Sequence, residues 1–342
     1  DRATYDLPPG DPRAASLTRA VVFGAPDAVL MDLPQLTEDQ PAHRPLVGAH
    51  AVPWPGEMAV FRSPSTDGFE LLTSFGARAR LGALVSDFYA GPTSRFDLGN
   101  ALVIDLLTGT LESVTDLTLF GGANALAVES APGAWEIVQA GVAELLAPGR
   151  YRLTRLQRGQ RGTEGAMGNP TPAGARMAVL DASLKPLPIA EADLGIPWNW
   201  RIGPASRPVS DETYVAQSFT PVGMGLRPFS VAHVEQPWRT PRTPADLTIR
   251  WTRRSRVLSA DNWGAVEVPL AEEVEAYQVE ILDGAAVKRV LGTGTTNALY
   301  TAAQQTADWG APLGPGNTLT IRIFQLSALV GRGAAQIVTL TF

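Results

Sequence analysis

The sequence contains no cysteine, which excludes disulfide bonds, thiolate metal ligands and thiol nucleophiles together. Histidine is scarce as well. His43 and His50 lie seven residues apart and His233 is isolated, so none of them forms the paired-histidine helix that binds zinc. We therefore expect no metal and no cofactor.

Long apolar runs are also missing. No stretch approaches the roughly 18 residues that a membrane-spanning helix requires, so we expect no such segment. The chain begins at Asp1 with "DRATYDLPPGDPRAASL", which has the character of the middle of a larger polypeptide rather than of a natural start. We therefore expect a fragment or a processed product.

Positive charge is in the minority. The formal net charge is -6 and the pI is near 5.2, so the summed field repels polyanions and specific nucleic-acid binding is not expected. Lysine occurs only at Lys185 and Lys288, and the other basic residues are arginines.

Glycine and proline, by contrast, are frequent, and they separate short runs of period-two hydrophobicity. Residues 124–141 predict a strand, a turn at Pro132–Gly133 and a second strand, and the meander continues through Pro148–Gly149. Residues 101–114 predict two short strands about Thr108–Gly109. The fold class is therefore expected to be all-β, beginning with an antiparallel β domain.

The last part of the chain has clearer alternation. In "DLTIRW", Leu247, Ile249 and Trp251 point one way, and "EAYQVEIL" and "TLTIRIFQL" repeat the pattern. Before it, prolines in 183–245 favour extended, loop-like backbone. We predict a β-rich domain over 1–205, a proline-rich linker over 206–244 and a sandwich over 245–342.

The most unusual local feature is "GRYRLTRLQRGQRG", which places five arginines within twelve residues: Arg150, Arg152, Arg155, Arg158 and Arg161. Three interpretations compete: a phosphate or nucleic-acid grip, a catalytic clamp, and a structural loop. The segment lacks the residue order of a phosphate-binding loop. We therefore favour a structural loop whose arginines at 152, 155, 158 and 161 pair with carboxylates or carbonyls of neighbouring segments or subunits.

Two other groups are candidates for function. Trp198 and Trp200, in a proline-framed loop, are candidates for surface contact with a sugar or a partner, although packing within their own domain is the favoured alternative. Glu272, Glu273 and Glu275 contain a conceivable pair of hydrolase carboxylates, for which we favour solvation or pairing with Arg253 and Arg254. No catalytic residue is assigned, and the protein is not expected to be an enzyme.

Two resemblances add to this interpretation. The order of "LTIRW", "YQVEI" and "IRIFQLSALVGRGAAQIVTLTF" resembles the fibronectin type III pattern, with Trp251 and Tyr277 as its core aromatics. More widely, "MDLPQL", "VPWPGEMAVFRS", "FGGANALAV", "APGRYRLTRLQRGQRGTEGAMG", "WGAVEVPLAEEVEAYQVEI" and "IFQLSALVGRG" resemble the C-terminal part of the tail-baseplate hub, or host specificity protein, of bacterial gene transfer agents and related siphophages.

The second resemblance implies a structural component of a phage-like tail tip that contacts the host envelope and takes part in DNA delivery. It implies a homotrimer, other baseplate proteins such as hub and distal tail proteins as partners, a host surface saccharide as a possible ligand, and a location in the particle's tail baseplate. In that family a glycoside-hydrolase-type domain lies upstream, and no part of this sequence corresponds to it. The alternative is a carbohydrate-binding accessory region of a secreted glycoside hydrolase.

Overall fold

The computed structural model describes residues 22–237, 244–257 and 268–342. This part of the chain is nearly all β and its sheets are antiparallel, which confirms the predicted fold class. The strands are β1 (Asp27–Met31), β2 (Leu46–His50), β3 (Met58–Ser63), β4 (Glu70–Phe75), β5 (Leu81–Leu84), β6 (Leu102–Leu106), β7 (Ala125–Ala131), β8 (Ala134–Ala147), β9 (Arg150–Gln157), β10 (Arg176–Val179), β11 (Lys185–Pro186), β12 (Trp198–Pro204), β13 (Val215–Phe219), β14 (Leu247–Arg250), β15 (Tyr277–Asp283), β16 (Ala286–Thr293), β17 (Asn297–Tyr300), β18 (Thr318–Ser327), β19 (Gly331–Arg332) and β20 (Gln336–Thr341). The α-helices among these residues are α1 (Asp116–Phe120) and α2 (Ala302–Trp309).

Six of the strands close a barrel in the order β10-β5-β6-β9-β8-β7. Its interior is filled by apolar side chains that alternate along the strands, such as Leu102 and Ile104 of β6 and Val138 of β8. The predicted strand pairs on either side of Pro132–Gly133 and Pro148–Gly149 are confirmed as β7–β8 and β8–β9. Closure leaves this unit without exposed strand edges.

The prediction of two strands within residues 101–114 is wrong in its second half. Gly109 makes the expected turn with a φ of 83°, but the residues after it form no strand. Because β8 already pairs with β7 and β9, this segment finds no free edge. It makes isolated bonds instead, such as that from the Val114 amide to the Gly141 carbonyl at 2.9 Å.

Two further sheets are stacked in order, with the sheet β1-β2-β11 on the barrel and the sheet β13-β12-β3-β4 on the other face of β1-β2-β11. The sheet β1-β2-β11 is buried on both faces, because Val29 and Met31 pack toward the barrel while Ala28 and Leu30 face the sheet β13-β12-β3-β4. The prolines of 183–245 therefore do not prevent strand formation, and the expectation of continuous loop-like backbone there is wrong. β11 and β12 lie in that stretch, and so does β13, which is paired with β12.

The C-terminal strands form a sandwich. The pair β14–β17 faces the sheet β16-β15-β18, which β19 and β20 extend by pairing with β18. Both sheets contribute to one core, in which the predicted inward residues Leu247, Ile249 and Trp251 are all buried. Trp251 and Tyr277 meet edge to face at 5.2 Å between ring centroids.

The division of the chain into three regions stays a prediction. Within the expected linker, residues 215–219 form β13 and residues 238–243 lie outside the described part. Residues 1–17, which suggested a fragment, are also outside it, as are residues 263–267 of the block "WGAVEVPLAEEVEAYQVEI".

Candidate functional site: the arginine loop

The arginine loop, residues 150–162, consists of β9 and the turns that follow it. Tyr151, Leu153 and Leu156 of β9 are buried in the barrel. The spacing of the last two departs from strict alternation, and Arg155 between them has a φ of 55°. This left-handed residue turns the strand so that both leucines face inward, and it leaves the arginines on the outside or at the barrel end.

Arg158 lies at the centre of a buried ion network. Its guanidinium donates to both oxygens of Glu136, from Nε at 2.7 Å and from Nη2 at 2.9 Å. Its Nη1 donates to Asp97 at 3.1 Å and to the Tyr89 carbonyl at 2.8 Å, and its plane lies 3.8 Å from the centroid of Phe88. The side chains of Arg158 and Glu136 are wholly buried and that of Asp97 is 2% exposed.

The two carboxylates give this network one more negative charge than Arg158 can neutralise. Asp97 is supported separately, because the amides of Gly99 and Asn100 and the side-chain amide of Asn100 all donate to it, at 2.8 to 3.1 Å. Burial raises the pKa of Asp97, but the hydrogen bonds from Asn100, Arg158 and Gly99 together outweigh that effect and hold its pKa below the usual value. Asp97 therefore stays ionised beside the guanidinium of Arg158.

The arginines of β9 pair with neighbouring strands and with α1. Arg150 forms a two-bond fork with Asp105 of β6, each bond 2.7 Å long, and Arg155 forms a fork with Asp116 of α1. Arg152 lies 4.0 Å from Glu144 of β8 on the exposed surface. These contacts join β9 to the elements beside it.

The end of the loop reaches segments that are distant in sequence. Arg161 donates to the carbonyls of Gln35 at 3.2 Å and Arg256 at 3.3 Å. Just beyond it, Glu164 accepts hydrogen bonds from Ser230, at 2.5 Å, and from Arg254. The loop and Glu164 thus contact both the N-terminal layers and the segment that follows β14 of the sandwich.

One glycine in the loop is required by this packing. Gly162 has a φ of 79°, and a Cβ atom at this position would overlap the ring of Phe229. Gly162 is therefore both a turn residue and a position of close contact.

Four of the five loop arginines donate hydrogen bonds to acceptors within the protein, and Arg152 lies 4.0 Å from Glu144. A phosphate grip requires guanidinium donors that are free to reach a ligand. The arrangement therefore favours the structural interpretation of Arg152, Arg155, Arg158 and Arg161 over the phosphate and clamp alternatives, and their role stays a prediction.

The two tryptophan candidates lie in β12. Trp200 is completely buried and donates from Nε1 to the Phe219 carbonyl at 3.1 Å, so its indole offers no surface to a partner. Trp198 is half-buried, and the guanidinium of Arg62 covers its ring at 4.3 Å. This geometry fits the alternative in which the two tryptophans pack within their own domain.

The carboxylates considered for hydrolysis are mostly paired. Glu275 accepts a hydrogen bond from Arg253 at 3.0 Å, and Glu272 accepts one from Arg256 at 2.9 Å. Glu273 is exposed. Over residues 22–237, 244–257 and 268–342, no group of three or more histidine and carboxylate side chains is placed to hold a metal ion.

Comparison with known proteins gives one family. A sequence profile described as "Rcc01698-like, C-terminal" matches residues 79–178. Residues 79–178 resemble this family. The matched range is less than a third of the 342 residues, and it coincides with the barrel from β5 to β10, including Asp97, Glu136 and Arg158.

The match agrees in part with the resemblance inferred from the sequence, because the family is related to gene transfer agents. The fibronectin type III ending lies outside the matched residues. No curated protein matches the chain. Among solved structures, it is similar to the glycoside hydrolase domain of Spr0440, Endo-D, from Streptococcus pneumoniae R6, with 10% identity and a TM-score of 0.20. That alignment covers 76% of this chain and 32% of the hydrolase chain, and so low a TM-score carries no argument.

Among the residues that the structure describes, no helix is long and apolar enough to cross a membrane.

Proposed function

We propose that the chain is a structural component of a phage-like tail baseplate of the gene-transfer-agent type, placed at the tail tip and involved in host envelope contact and DNA delivery. The observation that carries the proposal is the family match over the barrel. The sequence blocks outside the barrel that resemble the same hub protein support it independently of the match. Other baseplate proteins are its partners in this proposal, and the assembly is a homotrimer.

The arginine loop supports a mechanical role. The contacts of the loop, and of Glu164 just beyond it, join the barrel to Gln35 near the N-terminal layers and to Arg254 and Arg256, which follow β14 of the sandwich. Guanidinium forks constrain both distance and direction. A component that transmits force between an injecting tail and a cell surface requires such a fixed joint.

The C-terminal sandwich, in this proposal, is a fibronectin type III-like module. Its sheets, one with β14 and β17 and the other with β16, β15, β18 and β20, share a core around Trp251 and Tyr277. Such modules act as rigid spacers and contact surfaces, which suits the distal end of a tail protein.

We also propose that the chain has no catalytic turnover. The candidate acids Glu272 and Glu275 are held by arginines rather than placed across an open cleft. Purified protein incubated with peptidoglycan or capsular polysaccharide is expected to release no product. A reproducible rate that one Asp or Glu substitution abolishes would contradict this expectation.

The test of location is immunogold electron microscopy of particles from a producing culture, with antibody raised against this chain. Gold confined to the tail tip is the expected result. Antigen that is absent from particles and free in the medium would overturn the baseplate proposal and favour a secreted carbohydrate-binding region. A preimmune serum and particles from a strain that lacks the gene are the controls.

A further inference from the structure

A cavity lies away from the arginine loop, between residues 36–46 and residues 180–188. Its volume is about 640 Å³, which is within the range of small-molecule sites. We call it the basic pocket because two cationic residues, Arg44 and Lys185, line it. The family match covers neither of these two walls, because it spans residues 79–178.

The cations of the basic pocket are available, unlike those of the arginine loop. Neither Arg44 nor Lys185 has a side-chain hydrogen bond or ion pair within the described residues, and the buried Nε of Arg44 has no partner there. By contrast, Asp181 in the same wall is neutralised by Arg80 at 2.6 Å. Arg44 and Lys185 therefore present two positive charges that form no ion pair within the described residues, and the lining also contains the carboxylate of Asp39.

The rest of the lining is suited to a hydroxylated ligand. Asp39 is exposed in the pocket, where a hydrogen bond from Thr37 lowers its pKa and keeps it an ionised acceptor. Gln40 uses its amide oxygen to accept from the Leu36 amide, so its amide nitrogen remains as a donor. Pro41 and Pro186 add apolar surface for C–H groups.

We propose that the basic pocket binds a carboxylate-bearing sugar of an acidic polysaccharide. Arg44 and Lys185 bind the carboxylate, while Asp39 and Gln40 bind ring hydroxyls. The pocket is far larger than a single phosphate ion, so it has room for a sugar ring. That the polysaccharide belongs to the host envelope rests on the proposed function; the binding chemistry does not.

The experiment is isothermal titration calorimetry on the full chain with trigalacturonate, a trisaccharide of galacturonic acid. Its fully methyl-esterified form, which has the same rings without charge, is the matched control ligand, and inorganic phosphate is a third probe. We expect trigalacturonate to bind, the ester to bind at least about tenfold more weakly, and the affinity to fall with added salt.

The matched variants are Arg44→Gln with Lys185→Gln as a double substitution, and Arg95→Gln as an exposed arginine outside the pocket. The double variant is expected to lose about tenfold or more in affinity, and Arg95→Gln to bind as the unsubstituted chain does. If the double variant does not fold, Lys185→Gln alone serves, because Lys185 is exposed and its side chain has no partner among residues 22–237, 244–257 and 268–342.

Three outcomes would overturn the proposal: no binding of trigalacturonate, equal binding of the ester, or unchanged binding by the double variant. Binding of phosphate without the sugar would also overturn it. Gold at the tail tip together with absent sugar binding would remove only the basic pocket proposal. Sugar binding together with gold absent from particles would instead remove only the baseplate proposal.

Discussion

Replacing Arg158 with alanine tests whether the arginine loop is structural. The substitution removes the guanidinium that holds Glu136 by two bonds and Asp97 by one, while both acids remain buried. It also removes a contact with the ring of Phe88 at 3.8 Å. The expected result is a large loss of stability, because two carboxylates are left in the barrel without their shared cation.

The magnitude follows from burial. Breaking a buried ion pair by removal of one partner costs about 3–5 kcal/mol, since an uncompensated charge remains. Asp97 retains three hydrogen bonds from Gly99 and Asn100, so most of the loss falls on Glu136. Glu136 keeps only the amide of Gly159, at 3.1 Å, from its present donors. We therefore expect a decrease of about 3–5 kcal/mol in the free energy of unfolding.

Urea unfolding followed by tryptophan fluorescence measures this quantity, with the midpoint and slope fitted for each variant. Arg152→Ala is the matched control, because Arg152 lies on the same strand but makes one exposed contact at 4.0 Å. Its expected change is within about 0.5 kcal/mol. Adding Glu136→Gln to Arg158→Ala removes the stranded charge and is expected to recover at least about 1 kcal/mol.

Two results would refute the reasoning. One is an Arg158→Ala variant within about 1 kcal/mol of the unsubstituted chain, which would mean that the buried network contributes little. The other is a double variant with Glu136→Gln that is no more stable than Arg158→Ala alone. Equal losses of unfolding free energy for Arg158→Ala and Arg152→Ala would contradict the prediction that Arg158 contributes more to stability than Arg152.

Two further predictions concern single groups. Trp200→Phe is expected to destabilise the protein by about 1–2 kcal/mol more than Trp251→Phe. Of these two indoles, only that of Trp200 donates a hydrogen bond, to the Phe219 carbonyl. Equal losses of stability in urea unfolding would contradict this prediction. The folded pKa of Asp97 is below its ordinary value of 3.8, so its contribution to stability is full above that pH and is lost as pH falls through the lower folded value. Asp97→Asn is therefore expected to flatten the fall in unfolding free energy as the pH decreases below about 4, and an unchanged slope would count against the assignment.

The sequence predicted the strands best where one face alone is buried. The alternation of Leu247, Ile249 and Trp251 identified the sandwich correctly, because a two-layer sheet has one wet face. The alternation rule fails for β1 and β2, because both faces of these strands are buried. It also fails for residues 110–114, because strand formation there depended on whether a neighbouring strand had a free edge. The local hydrophobic pattern does not show which strand edges are free to pair in the folded protein.

The sequence indicated the type of site, a loop of paired arginines, but not which residues those arginines contact. Five arginines in twelve residues indicated a loop rich in ion pairs, but Arg158 lies 61 residues from Asp97 and 22 from Glu136. One signal was present: Glu136 stands between Trp135 and Ile137 in a run that is otherwise mostly apolar. A charged residue in a strand buried on both faces requires a counter-charge, and that argument would have pointed to one of the nearby arginines.

The choice of arginine in this loop has a physical reason beyond composition. A guanidinium can satisfy two acceptors in fixed directions and still contact an aromatic face, as Arg158 does with Glu136, Asp97 and Phe88. Lysine has no planar fork and is more strongly hydrated, so its burial between two carboxylates would cost more. The basic pocket shows the opposite case, because its lysine and its arginine form no side-chain hydrogen bond or ion pair with the residues that the structure describes. Arginines whose donors are used within the protein stabilise the fold. Cations whose donors are not used in this way are the ones available to a ligand.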